Sequence, residues 1–453
     1  MSCNDPRGQR TGTASTAARD AAERALWRMM SFYDTPLADL EAAEQADPGW
    51  AMPHAMKAGF LLSLTEPSLV GQAAASLRAA RERERSCTPR ERAHLEALTQ
   101  VLEGRWAAAG RTWDEMLVAH PRDALALQWA HLWDFYRGDA PALRGRPARV
   151  LPDWDEADPL FGYVLALHAF GLEECNLYPQ AEEAGRRALQ ANPRVPWAVH
   201  AVAHVMEMQG RFEEGAAWLR QHQPAWAEGN GFATHLWWHK ALFRLEVLDV
   251  AGAWRLVDNH LSGQGLQITL QRVDAAALLW RLHLLGQDVS AQSRALVAHW
   301  PLLEQEAGYY AFNDLHALLA LVAAGDLAHA EHWLACCAAR ALAPEDAARH
   351  NHATAREVGL PLMRGVLAYA RGDAEGAAGL LYGARGLAQR FGGSHAQRDL
   401  VDQTLLACAG RGASQARAIG RALLNERRLA KPETPLTRHW TEVLGSCAAG
   451  LRG

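Results

Sequence analysis

The stretch WAVHAVAHVMEMQGRFEEGAAWLRQ, residues 197–221, reads as two helices broken at Gly210. Apolar residues recur at helical spacing before the glycine, and a second amphipathic run begins just after it. Glycine ends a helix readily because, without a Cβ, it adopts the left-handed conformation at little steric cost. Gly215, five residues past the turn, is small enough to let the paired helices cross closely.

The same unit recurs in both directions along the chain. It reads GRWAAA from Gly104, GDAPAL from Gly138, NLYPQA from Asn176, GRFEEG from Gly210, LDVAGA from Leu248, GQDVSA from Gly286, GDLAHA from Gly325 and GDAEGA from Gly372. Successive starts differ by 34, 38, 34, 38, 38, 39 and 47 residues, near the 34-residue period of a helix–turn–helix repeat with loop insertions. The small position is filled by Ala109, Ala181, Gly215, Ala253, Ala291, Ala330 and Ala377, and only Leu143 departs from the rule. No run shows the two-residue alternation of a strand. The predicted fold is all-α, a right-handed superhelical α-solenoid of tetratricopeptide-type helix–turn–helix repeats.

The expected organisation is a disordered N-terminal tail over 1–20, irregular capping helices over 21–90, the repeat array over 91–430 and a C-terminal capping helix over 431–453. Ser394 and Gln397 form an S-x-x-Q capping box that starts a late helix. Arg144, Arg146 and Arg149 are expected in a solvated basic loop.

With 453 residues, 49% of them hydrophobic, the chain can bury a large core. A net charge of −5 argues against nucleic acid as a partner, and the apolar stretches are too short to span a bilayer. The polar N-terminus does not resemble an export signal, and the seven cysteines show no CxxC spacing. These features predict a soluble cytoplasmic protein without membrane or nucleic-acid partners. The absence of a serine nucleophile elbow, a phosphate-binding glycine loop and a CxxC pair removes support for hydrolase, kinase and disulfide-exchange chemistry.

The strings WAVHAVAHVMEMQGR (197–211), HLWWHKAL (235–242), YAFNDLHALLAL (310–321), REVGLPLMRG (356–365) and GGSHAQRDL (392–400) resemble the tetratricopeptide repeat protein 38 family. The resemblance runs from Trp129 to Leu436 and implies the repeat fold, while implying no reaction. Leu236 stands where that family usually carries Asn, and His395 where it tolerates Asn.

In such repeats the first helix of each pair lines the concave face. Counting back from Gly210 places Trp197, His200, His204 and Glu207 on that face, with the last three on one stripe. The same count from Leu248 gives His235, Trp238 and His239, and from Gly325 it gives Phe312 and His316, with Asn313 and Asp314 beside them. Arg398 and Asp399 lie in the first turn after Ser394. So many imidazoles and carboxylates on a concave surface predict a pocket, because burying them without use is costly.

Three chemistries fit that pocket. His200, His204, His235 and His239 have the His-x3-His spacing that binds Zn²⁺ or Fe²⁺, although HExxH is absent. The same histidines with Glu207 could act as acid–base catalysts. Pure recognition of a small molecule or short peptide is the reading the sequence favours, with Trp197, Trp237, Trp238 and Phe312 as apolar walls. An enzyme is the alternative, and a protein-interaction scaffold using the basic loop is the third.

Overall fold

The eight turn residues named above all adopt positive φ, from +56° at Leu248 to +84° at Gly372. Asn176 (+61°) and Leu248 do so without being glycine, so the geometry belongs to the repeat rather than to one residue type. In seven of the eight the second helix begins two residues later, as at Trp106, Phe212 and Leu327. After Gly286 it begins at Ser290, two residues further on. That longer turn corrects one expectation: Ala291 is exposed, and Ser293, fully buried, takes the close-packing role.

The computed structural model describes residues 3–262 and 265–449, with side chains to residue 445. Among these residues every regular element is helical, and extended pairing is confined to the isolated bridges Asn4–Arg10 and Tyr33–Asn230. The chain is an all-α array of helical repeats. No helix among the described residues is long and apolar enough to cross a membrane.

The chain divides into two compact units. The first comprises residues up to Val202, His222–Ala233 and Ala348–His350; the second comprises Ala203–Gln221, Thr234–Ala347 and the residues from Asn351.

In the first unit, residues 3–20 of the segment expected as a loose tail are folded. Cys3 N donates to Thr13 O at 3.0 Å, Thr11 N donates to Cys3 O at 2.9 Å, and the helix Thr16–Ser31 follows. Its polar composition masks an inward ion pair, with Arg7, only 7% exposed, bridging both oxygens of Glu23 at 2.5 and 2.6 Å. The basic loop is likewise a helix, Ala140–Val150, in which buried Arg146 donates to Asp134 Oδ2 at 2.8 Å and Arg149 pairs with Asp114. Arg146 and Arg149 are thus engaged by carboxylates, while Arg144 is exposed on the same helix.

Leu143, the departure from the small-residue rule, also has a structural answer. The helix Phe161–Glu174 crosses Ala140–Val150 with Gly171 at the contact, where an added Cβ would stand 2.3 Å from Leu143 O. The required smallness has moved to the opposing helix.

In the second unit the array returns on itself. The helix Thr269–Leu284 packs on both Ala311–Ala323 and His395–Arg411. In the same unit, Arg427 and Lys431 each donate to Glu246 Oε1 at 2.7 Å. Ser394 and Gln397 form both halves of the capping box at 3.0 and 3.3 Å. Gly210, at φ +71°, has Pro432 Cδ at 3.1 Å from the place a Cβ would take. Gly210→Val is therefore expected to destabilise the unit by on the order of 1–3 kcal/mol in urea denaturation, combining a left-handed β-branched residue with a contact that must give way.

Candidate functional site

The centre of the second unit is a chain of four titratable side chains from three helices. His235 and His239 stand one turn apart on Ala233–Glu246, so their rings share a face. His235 Nδ1 lies 2.9 Å from Asp274 Oδ2, and His239 Nδ1 lies 3.0 Å from Glu207 Oε2. The two Nε2 atoms face each other at 3.2 Å. His204, on the helix Pro196–Met208, meets His239 edge-on with ring centroids 4.4 Å apart. Ring nitrogens of His204, His235 and His239 all lie within 4.8 Å of one another.

Burial is deep, with His204 and His239 fully covered and His235 the most accessible of the three at 15% of its side chain. Burial, reinforced by the other two histidines and Arg281, holds the His239 pKa well below its ordinary value. Burial likewise pushes the Glu207 carboxyl up to about 8, against the pull of Lys431.

This geometry constrains the protons. With Glu207 protonated, as its raised pKa favours near neutral pH, its O–H can donate to His239 Nδ1 and the His239 Nε2–H to His235 Nε2; once Glu207 ionises and each Nδ1–H donates to its carboxylate, both Nε2 lone pairs point at one another across 3.2 Å. Such an arrangement is repulsive unless a proton or a cation sits between them. Two imidazole nitrogens bound at 2.0–2.1 Å to one tetrahedral ion stand roughly 3.3–3.4 Å apart. Carboxylates on the distal nitrogens are the usual second shell of metal-bound histidines, fixing tautomer and ring orientation.

Trp238 walls this centre, stacking on His235 (5.3 Å, 17°) and meeting His239 edge-on (4.8 Å). Trp237 turns elsewhere and stacks on His260 at 3.9 Å. Fully buried His316 places Nδ1 2.7 Å from Phe312 O, and Phe312 packs on both His316 and Phe391. Because a carbonyl only accepts, His316 Nδ1 carries the proton and Nε2 is an acceptor; burial lowers its pKa to about 4. Asn313 is buried on the same helix.

Other sequence candidates have different surroundings. Asp314 accepts from Gly308 N at 3.2 Å beside Cys337, where burial raises its carboxyl to about 7. Arg398 donates to Gly393 O and to His395 Nδ1, so it serves the start of its own helix. Asp399 accepts from Arg427 at 2.8 Å and from Gln403 at 2.6 Å; burial opposes its charge, but Arg427, Lys431 and Arg281 hold its pKa low. Trp197 and His200 belong to the first unit, where they form an aromatic cluster with Phe170 and Phe232 at centroid distances of 4.8–5.3 Å.

Counting fixed positions from the turns missed Asp274 and Arg281, both on the helix Thr269–Leu284. The available signal was chemical: in TLQRVDAAALLWRLHL, Asp274 and Arg281 stand seven residues apart within an apolar run, as buried charges on one face do.

No protein-family model matches the chain. Among solved structures it is similar to the human IFIT1 dimer with m7Gppp-AAAA, at 14% identity and TM-score 0.43, covering 99% of this chain and 95% of that one. It is similar also to the human IFIT1 dimer with PPP-AAAA, at 13% identity and TM-score 0.43, with 95% of each chain covered. Those proteins are described with short RNAs, which overturns the exclusion of nucleic acid drawn from a net charge of −5. Net charge sums over the whole surface and does not report the charge of any one groove.

Proposed function

We propose that the chain is a member of the tetratricopeptide repeat protein 38 family whose second unit binds a small molecule at a transition-metal centre. His204, His235 and His239 are the metal ligands in this reading, with Glu207 and Asp274 as their second shell. The observation that carries it is the 3.2 Å approach of two Nε2 atoms whose Nδ1 partners are the carboxyl groups of Asp274 and Glu207, a pair a bound cation would bridge once Glu207 ionises. A three-histidine set leaves one tetrahedral position for a ligand oxygen, and His235 lies on the accessible side. A zinc or iron ion there would polarise that oxygen as a Lewis acid. The sequence alone ranked metal-free recognition first; the facing nitrogens reverse that order.

The test is elemental analysis of protein made without an affinity tag. About one Zn or Fe per chain is expected, with His239→Ala reducing it to background. Asp274→Asn keeps the shape of the second shell while removing its charge, and should weaken metal binding by roughly 10–100-fold. Background metal in the parent after loading with Zn²⁺ or Fe²⁺, or unchanged metal in His239→Ala, would sink the proposal.

A further inference from the structure

Among the described residues, no ion pair is formed by Arg281, a cation buried near the histidines of the second unit. It is 1% exposed, and its hydrogen bonds run to two backbone carbonyls, Ala277 O at 3.1 Å and Ala396 O at 2.7 Å. Its Nε is buried without a partner. The carboxylates near it are committed elsewhere: Asp399 to Arg427 and Gln403, Glu207 to His239, and Asp274 to His235. A buried guanidinium without an adjacent anion is expensive, and folds keep one where an anion completes it.

Two more buried groups near it are incompletely satisfied. The Arg281 guanidinium lies 5.4 Å over the Trp238 ring, and the Trp238 Nε1–H is buried without an acceptor. His316 Nε2, an acceptor by the tautomer argument above, is buried without a donor, and the Arg281 charge acts on that ring. Trp238 in turn packs on His235 and His239, which links these groups to the histidine centre.

We infer that Arg281 and Trp238 bind the carboxylate of a small organic acid whose remaining polar group faces the histidines. The inference rests on the proposed centre only for the position of that second group. Arg281 supplies the charge and the Nε–H, Trp238 supplies a directional N–H, and His316 Nε2 accepts from a hydroxyl or amine of the ligand. A guanidinium with neighbouring N–H donors suits a planar carboxylate.

The probes are benzoate, its neutral isostere benzamide, and inorganic phosphate, added to the full chain in thermal melting and calorimetry. Benzoate should stabilise the parent in a concentration-dependent way, and benzamide should not. Arg281→Met should abolish the benzoate response. Trp238→Phe, which keeps the stacked ring without its N–H, should weaken benzoate about tenfold and serves if Arg281→Met does not fold. Stabilisation by phosphate alone overturns the carboxylate assignment, and no response to either anion, or an equal response in Arg281→Met, overturns the site. Metal content read on the same samples separates the two proposals. One metal per chain without benzoate binding defeats this inference alone, and benzoate binding with background metal defeats only the metal centre.

Discussion

Replacing Glu246 by alanine is expected to cost the second unit about 3–5 kcal/mol, the loss seen when one partner of a buried ion pair is removed. Glu246 is 7% exposed, and one of its oxygens receives both Arg427 and Lys431 at 2.7 Å. Those cations are themselves nearly covered, at 8% and 10% of their side chains, so the alanine variant strands Lys431 and leaves Arg427 with Asp399 alone. Glu246→Gln retains an acceptor and should lose less. Urea denaturation followed by tryptophan fluorescence measures the difference, and a loss below 1 kcal/mol would show that water replaces the carboxylate.

The same contact sets an acid limb. Burial opposes ionisation of Glu246, but Lys431 and Arg427 outweigh it and hold the folded pKa below the ordinary 4.5. A carboxylate with a depressed folded pKa contributes its stability above the unfolded value and loses it as pH falls through the folded value. Asp399 is lowered in the same direction. The parent should therefore lose stability as pH falls below about 4.5, and Glu246→Ala should show a shallower loss over that range.

Gly171→Ala is expected to cost roughly 3 kcal/mol or more, at or beyond the upper end of overpacking effects. A Cβ there would stand 2.3 Å from Leu143 O, 2.4 Å from Leu143 C and 2.5 Å from Arg144 N. All three obstacles are backbone, so no rotamer change relieves them and the two helices must separate. Gly145→Ala, on the opposing helix, is the control: its Cβ would have only Arg149 Nη1 at 3.8 Å, an ordinary contact. Removing a helical glycine should there add about 0.5–1 kcal/mol. Opposite signs at two glycines of one helix crossing, read in parallel denaturation curves, check the close approach directly.

The repeat frame was legible because its signal is local. A left-handed residue between two helices leaves a mark whatever surrounds it, even where Leu248 replaces glycine. Helix faces were legible for the same reason, which is why His204, Glu207, His235 and His239 could be grouped before any coordinates. Asp274 and Arg281 escaped because a fixed count back from the turn does not select their positions, and the partners that mark them lie on other helices. Arg146 was misread because an arginine among prolines and glycines resembles solvent-exposed chain; only the approach of Asp134 from another helix gives it a buried partner. Arg7 escaped for a similar reason, its partner Glu23 lying beyond the segment read as a tail.

The Glu246 contact also bears on the order of events during synthesis. Arg427 and Lys431 lie 181 and 185 residues after it, and Arg281 takes one of its carbonyls from a residue 115 positions later. At about 5–20 residues per second, Glu246 would wait roughly ten to forty seconds for its cations to be made. Repeats stacked on near neighbours can form as they emerge, but the Glu246–Arg427–Lys431 contact of the second unit cannot. A nascent chain would thus hold an exposed Glu246 carboxylate, and the last helices would act as the clasp that covers it.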